Sequence, residues 1–344
     1  MTDPESPTAR TRRSASAPFP TVAGRRVTDL STLFGSGVWL ALAIGTVGGP
    51  VPLSAVELYV ALATLIVVPL GLGLLESTSA TAGSLPDRTA TPYRVAAAGQ
   101  FPAALAVVAG LAAPQGTLLA VALVAPWLAV TGAIALAGVR RLLARGPGPL
   151  PELAIDAALL YVPVAAVFLC LHAAGISLRF APIIVLLTGV HFHYAGFALP
   201  LVVGLTGRLV ATGEGGFPPT AAGRAAAAVT AVIAVGILLI AVGITFSPLL
   251  EVIAAVTFSA AVVGFAVLLF RTVVPAVPRL PGALFALAAI SLCWTMALAL
   301  AFAYSALPDT ASLVSIPEMI RWHGSVNAFG FALPALLALR SLEK

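Results

Sequence analysis

Apolar stretches of about 20 residues follow one another along almost the whole chain, and nothing else in the sequence constrains the fold as strongly. Hydrophobic residues make up 60% of the 344 and charged residues only 9%. A soluble domain carries about 25% charged residues, so this chain cannot cover a water-facing surface. Mean hydropathy is +1.06. The chain is therefore expected to be an integral membrane protein whose main partner is the lipid bilayer. In lipid the backbone must satisfy its own polar groups, which leaves helices or closed barrels. These runs are continuously apolar rather than alternating, so they select helices.

The expected fold is an all-α, polytopic transmembrane bundle of ten helices, over 31–49, 55–75, 93–113, 117–138, 152–174, 180–206, 221–246, 249–270, 281–304 and 318–339. The connections at 50–54, 114–116 and 247–248 are short and each holds a proline, which makes the flanking helices antiparallel neighbours. Residues 1–30 are rich in Ser, Thr, Pro and Arg (Arg10, Arg12, Arg13, Arg25, Arg26) and have no apolar core. They are expected to form a disordered basic tail ahead of a single transmembrane domain, 31–344. A cleavable signal peptide would need an apolar segment there. A mitochondrial-type presequence is the second reading, weakened by Asp3 and Glu5.

Charge sets the orientation. The net charge is +5, but the arginines are spread one or two per loop and form no phosphate-binding stripe, so nucleic acid is not an expected partner. With both termini in the cytoplasm, only Arg179 and Arg321 of the 18 basic residues fall outside. The Ala-, Gly- and Pro-rich composition points to a high-GC prokaryotic genome and hence a prokaryotic plasma membrane. Cys170 and Cys293 lie in apolar runs without a CxxC spacing and are expected as free thiols.

The chemistry-bearing phrase is HFHYAGFALP, 191–200, in the sixth helix, and GFALP recurs at 330–334 in the tenth, behind His323 and Asn327. Arg179 and Arg208 bracket His193 by roughly 21 Å of helical rise on either side, which puts the histidines near the bilayer midplane. An ionisable group there faces a protein interior or a wet cavity. His191 and His193 point about 200° apart on a regular helix, so one is expected to line a cavity while the other meets a neighbouring helix, with Asp156 or Gln100 as partners. His323 and Asn327 share a face, and Tyr194 is expected beside them. Pro200 and Pro334 each lack the donor for the carbonyl four residues back, Gly196 and Gly330, a defect of about 3 kcal/mol in a regular helix, so both helices are expected to break there. The matching placement of the two phrases fits a parallel repeat of four helices, 3–6 and 7–10.

Other polar residues are secondary. Glu57, Glu251 and Glu318 open helices, where the dipole stabilises a wet carboxylate. Glu76 and Glu152 border loops and are expected to be solvated. Asp156 and Gln100 lie deeper, and together with Glu57 are the secondary site candidates. His172 is expected at the outer interface.

On HFHYAGFALP, on WHGSVNAFGF (322–331) and on the helices around them, the chain resembles the YndJ-like family of prokaryotic multipass membrane proteins. That resemblance implies a membrane transporter with a His/Asn cluster and supplies no substrate. From the residues themselves, the leading reading is a secondary transporter or proton-linked permease for an unknown small molecule or ion, because histidines titrate near neutral pH. The alternatives are a redox protein or enzyme using His191 or His193 with His323 as ligands to a transition metal or haem, and a sensor without turnover. No HExxH or P-loop occurs, no cofactor is predicted, and transport is favoured over enzymatic turnover.

Overall fold

The computed structural model describes residues 19–81, 87–211, 216–305, 307 and 309–343. Among them are ten helices: α1 (Val27–Gly48), α2 (55–81), α3 (Asp87–Ala112), α4 (Leu118–Arg145), α5 (Leu150–Ala173), α6 (Pro182–Val210), α7 (Ala221–Phe246), α8 (Pro248–Ala276), α9 (Arg279–Tyr304) and α10 (316–341). Nine are long and apolar enough to cross a membrane. The exception is α10, whose first half carries Arg321, His323, Ser325 and Asn327.

The expected tail 1–30 falls partly outside the described residues. In the described part, Thr21–Val22 (β1) pairs antiparallel with Arg25–Arg26 (β2), and α1 begins at Val27. Order thus starts before residue 31. Arg26 explains why: it reaches Asp29 at 2.9 Å, Glu343 at 3.2 Å and the Gly73 carbonyl at 3.0 Å, while Arg340 reaches Asp29 at 2.8 Å. These contacts put the start of α1 and the end of α10 at one arginine-rich end of the bundle. α4 runs past its expected stop at 138 to Arg145, because Arg141 and Arg145 are held by partners on α5.

α2 is the axis of the bundle. Its apolar window is 94% buried, against 11% for α1, and it packs against α1, α3, α6 and α10. Around it, α3–α6 pack in series, and so do α7–α10.

Four helices share one local device. A π turn runs over Ala63–Val67 in α2, Phe192–Ala198 in α6, Leu269–Val273 in α8 and Val326–Ala332 in α10. Each stops one residue short of an X-Pro step, at Pro69, Pro200, Pro275 and Pro334. A proline cannot donate to the carbonyl four back, and its ring crowds that carbonyl. In all four helices the preceding amide instead bonds five residues back: Val68 to Ala63, Leu199 to Tyr194, Val274 to Leu269 and Leu333 to Ala328. One residue is thereby inserted into the turn, which widens the coil and makes room for the ring.

The two GFALP helices match beyond this. Their π turns lie 134 positions apart at both ends, 192 to 326 and 198 to 332. A Cβ on Gly196 would meet the Tyr161 Cβ of α5 at 3.2 Å, and one on Gly330 would meet the Ser291 Cβ of α9 at 3.0 Å. The two glycines therefore let α6 and α10 close onto α5 and α9 in the same way.

Candidate functional site

The π turn in α6 fixes where its two histidines go. His191 lies just before it and His193 within it, on opposite sides. His191 points toward α10, where its ring stacks on His323 with centroids 6.0 Å apart and an interplanar angle of 21°. His323 is oriented from α9: its Nδ1 lies 3.0 Å from the Thr295 carbonyl, and since a carbonyl only accepts, Nδ1 carries the proton. Nε2 of His323 then keeps its lone pair. His191 meets His323 through its ring face and is itself exposed, while His323 and Asn327 are half-buried, so the imidazole pair borders open space.

Neighbouring groups hold this pair in place. Thr295 Oγ1 donates to Asn327 Oδ1 at 3.2 Å. The Tyr194 hydroxyl donates to the Tyr59 carbonyl at 2.9 Å, and the Tyr59 hydroxyl donates to the Ile320 carbonyl at 3.2 Å. Gly324 admits the Tyr59 ring, whose Cε2 would be 3.1 Å from an added Cβ. Four helices (α2, α6, α9 and α10) thus converge on His191, Tyr194, His323 and Asn327.

His193 is not part of this group. It is fully buried and faces α4, where the Trp127 indole N–H donates to its Nε2 at 3.1 Å. Its Nδ1 donates to the Gly189 carbonyl at 2.8 Å, so both ring nitrogens are satisfied in one neutral tautomer. The expected partners, Asp156 and Gln100, are both wrong, for separate reasons. Asp156 is fully buried in an ion network: Arg141 Nε lies 2.9 Å and Arg145 Nη2 2.5 Å from its carboxylate. Gln100 is buried on α3 with neither amide atom bonded. Trp127 escaped the sequence reading, although a tryptophan in mid-run, away from the interface, needs a partner for its N–H.

The remaining candidates are structural. Glu57 closes a capping box with Ser54 at the start of α2, and Glu318 does the same with Ser315. Glu152, expected to be solvated, binds Arg141 at 2.7 Å and Arg208 at 2.5 Å, tying α4, α5 and α6 together. Glu76, also expected to be solvated, is buried and accepts from Thr28 Oγ1 at 2.7 Å. His172, in the last turn of α5, is buried against the 114–116 connection and meets Gln115 at 2.9 Å. Among the described residues no three His, Cys, Asp or Glu side chains converge as metal ligands would. A cavity of about 100 Å³ between α6, α7 and α8, lined by Val203, Thr230 and Phe265, lies away from the histidine pair.

Comparison with known proteins matches residues 58–331 to the family described as YndJ-like protein, well over half of the chain. The chain belongs to the YndJ-like family. The YndJ-like span takes in Tyr59, Trp127, the whole of HFHYAGFALP, His323, Asn327 and Gly330, and stops just short of Pro334. A curated relative, "Uncharacterized membrane protein YndJ" of Bacillus subtilis (strain 168), is 35% identical over 170 residues. Those residues are 49% of this chain and 29% of the relative, so the chain spans under a third of that protein's length in the match. No solved structure matches this YndJ-like chain. It is a multipass membrane protein of the bilayer, similar to a bacterial one.

Proposed function

We propose that this YndJ-like protein is a secondary permease whose polar solute or proton site lies between α6 and α10, with the arginine-rich end in the cytoplasm. The observation that carries the reading is the stacked His191–His323 pair, seated beside two π-broken helices and open on the His191 side. His323 gives Nδ1 to a backbone carbonyl and keeps Nε2 for a ligand or proton, and the exposed His191 ring lies stacked beside it. Broken helices frame binding sites in many transporters, because irregular backbone is tolerated in a membrane only inside protein or along a cavity. Asn327 adds a group that both donates and accepts. A metal site is less well supported, since two imidazoles fall short of the three or four ligands such sites use.

The test is proton flux in proteoliposomes containing a trapped pH dye, with a low-molecular-weight cell extract outside. Flux that depends on both the protein and the extract supports the permease reading. Flux equal to that of protein-free vesicles under every condition removes it.

A further inference from the structure

Among the described residues, five buried side-chain atoms lack a hydrogen-bond partner: Thr46 Oγ1, Glu76 Oε1, Arg94 Nε and both amide atoms of Gln100. Four of the five belong to two neighbouring helices, α2 and α3. Buried polar groups in native proteins are almost always bonded to protein or to ordered water, so each of these atoms needs a partner.

Gln100 can be oriented from its neighbours. Tyr93, seven positions earlier on α3, lies on the same face, and its hydroxyl donates to the Leu72 carbonyl of α2. To either side, a Cβ on Gly99 would meet Val130 of α4 at 3.3 Å, and Phe101 meets Phe34 of α1. Gln100 therefore looks at α2. The two helices are antiparallel, so seven positions back from Leu72 brings the level to Leu65, inside the π turn Ala63–Val67. Ala96, Ala97, Ala103 and Ala104, all buried, flank Gln100 on its face and carry no polar side-chain atom that could bond the amide. Thr64, fully buried in that π turn, donates to the Val60 carbonyl at 3.1 Å and keeps its lone pairs as acceptors.

We propose that α2 and α3 enclose a hydrated seam, holding water from Glu76 at the arginine-rich end to Gln100 beside the π turn. The amide offers two donors and a carbonyl and Glu76 an open carboxylate oxygen, which is what bridging waters require. The seam's role as the cytoplasmic leg of a proton or solute route rests on the permease reading. Its hydration does not.

Hydroxyl-radical footprinting by X-ray radiolysis, on the full chain in nanodiscs, tests this. Tyr93 is the reporter and Tyr161 the control, since Tyr161 is the more exposed of the two, 8% against 3%. The seam predicts that Tyr93 is labelled several-fold faster than Tyr161 despite its deeper burial, and that Gln100→Leu lowers its rate to that of Tyr161. Should the Leu variant not fold, Gln100→Met carries the same expectation. Labelling of Tyr93 no faster than Tyr161 in the wild type, or unchanged in the folded variant, overturns the proposal. A labelled seam without proton flux keeps this inference and removes the permease reading alone.

Discussion

The indole N–H of Trp127 donates to Nε2 of His193 at 3.1 Å, across from α4 to α6, with both side chains fully buried. This bond separates the two histidines of HFHYAGFALP by role. Both nitrogens of His193 are bonded, whereas His191 is exposed and stacks on His323.

Replacing His193 by Ala leaves the Trp127 N–H unsatisfied inside the bundle and opens a void, so it should cost about 2–4 kcal/mol. In a thermal melt in detergent the variant should lose stability clearly, while His191→Gln melts with the wild type. Equal melting of both variants would remove the distinction between them.

Asp156 is the most stringent test of the ion network. Its carboxylate is fully buried between Arg141 and Arg145, and Asp156→Asn breaks both charge pairs, at an expected cost of about 3–5 kcal/mol. Glu57→Gln keeps a side chain that can close the exposed capping box and loses only the charge at the helix start, so it should cost under about 1 kcal/mol. Chemical denaturation should rank Asp156→Asn well above Glu57→Gln, and the reverse order would contradict the network.

How much of this was legible beforehand follows from where each signal sits in the chain. The continuous apolar runs and short proline links foretell ten helices, and the repeated GFALP phrase locates two of the five π turns among the described residues, of which Met319–Gly324 has no proline after it. Val68–Pro69 and Val274–Pro275 build the same turn without a repeated phrase, so the broken axis helix α2 was not visible. Glu76 and Glu152 looked solvated because position along a helix does not reveal which loop folds over it. Burial of Glu76 depends on Thr28, 48 positions away, and the clustering of Glu152 on Arg208, 56 positions away. The Trp127–His193 bond joins residues 66 positions apart, and only tertiary packing brings them together.

Proline chemistry predicts a structural response at the site. Pro200→Ala restores an N–H that can bond Gly196, removing the reason for the π turn at little cost, within about 1 kcal/mol of wild-type stability. Because the turn sets the facing of His191, a His191→Cys, His323→Cys pair should crosslink readily under mild oxidation, and poorly once Pro200→Ala is added. Equal crosslinking in both backgrounds would show that the π turn does not place the pair.

Orientation is checked by cysteine labelling from each side of sealed vesicles. Gly146, after the arginine-rich end of α4, and Gly175, after the opposite end of α5, should be reached from opposite sides, with Gly146 cytoplasmic. Labelling of both from one side would contradict the alternation of the helices.

The central claim, that the His191–His323 pair is the working site, is tested most directly by extract-dependent proton flux in proteoliposomes of three substituted proteins. His191→Gln and His323→Gln should each abolish the flux while folding normally, and His172→Gln, at the end of α5 and paired with Gln115 instead, should leave it unchanged. Wild-type flux in both His191→Gln and His323→Gln would contradict the account.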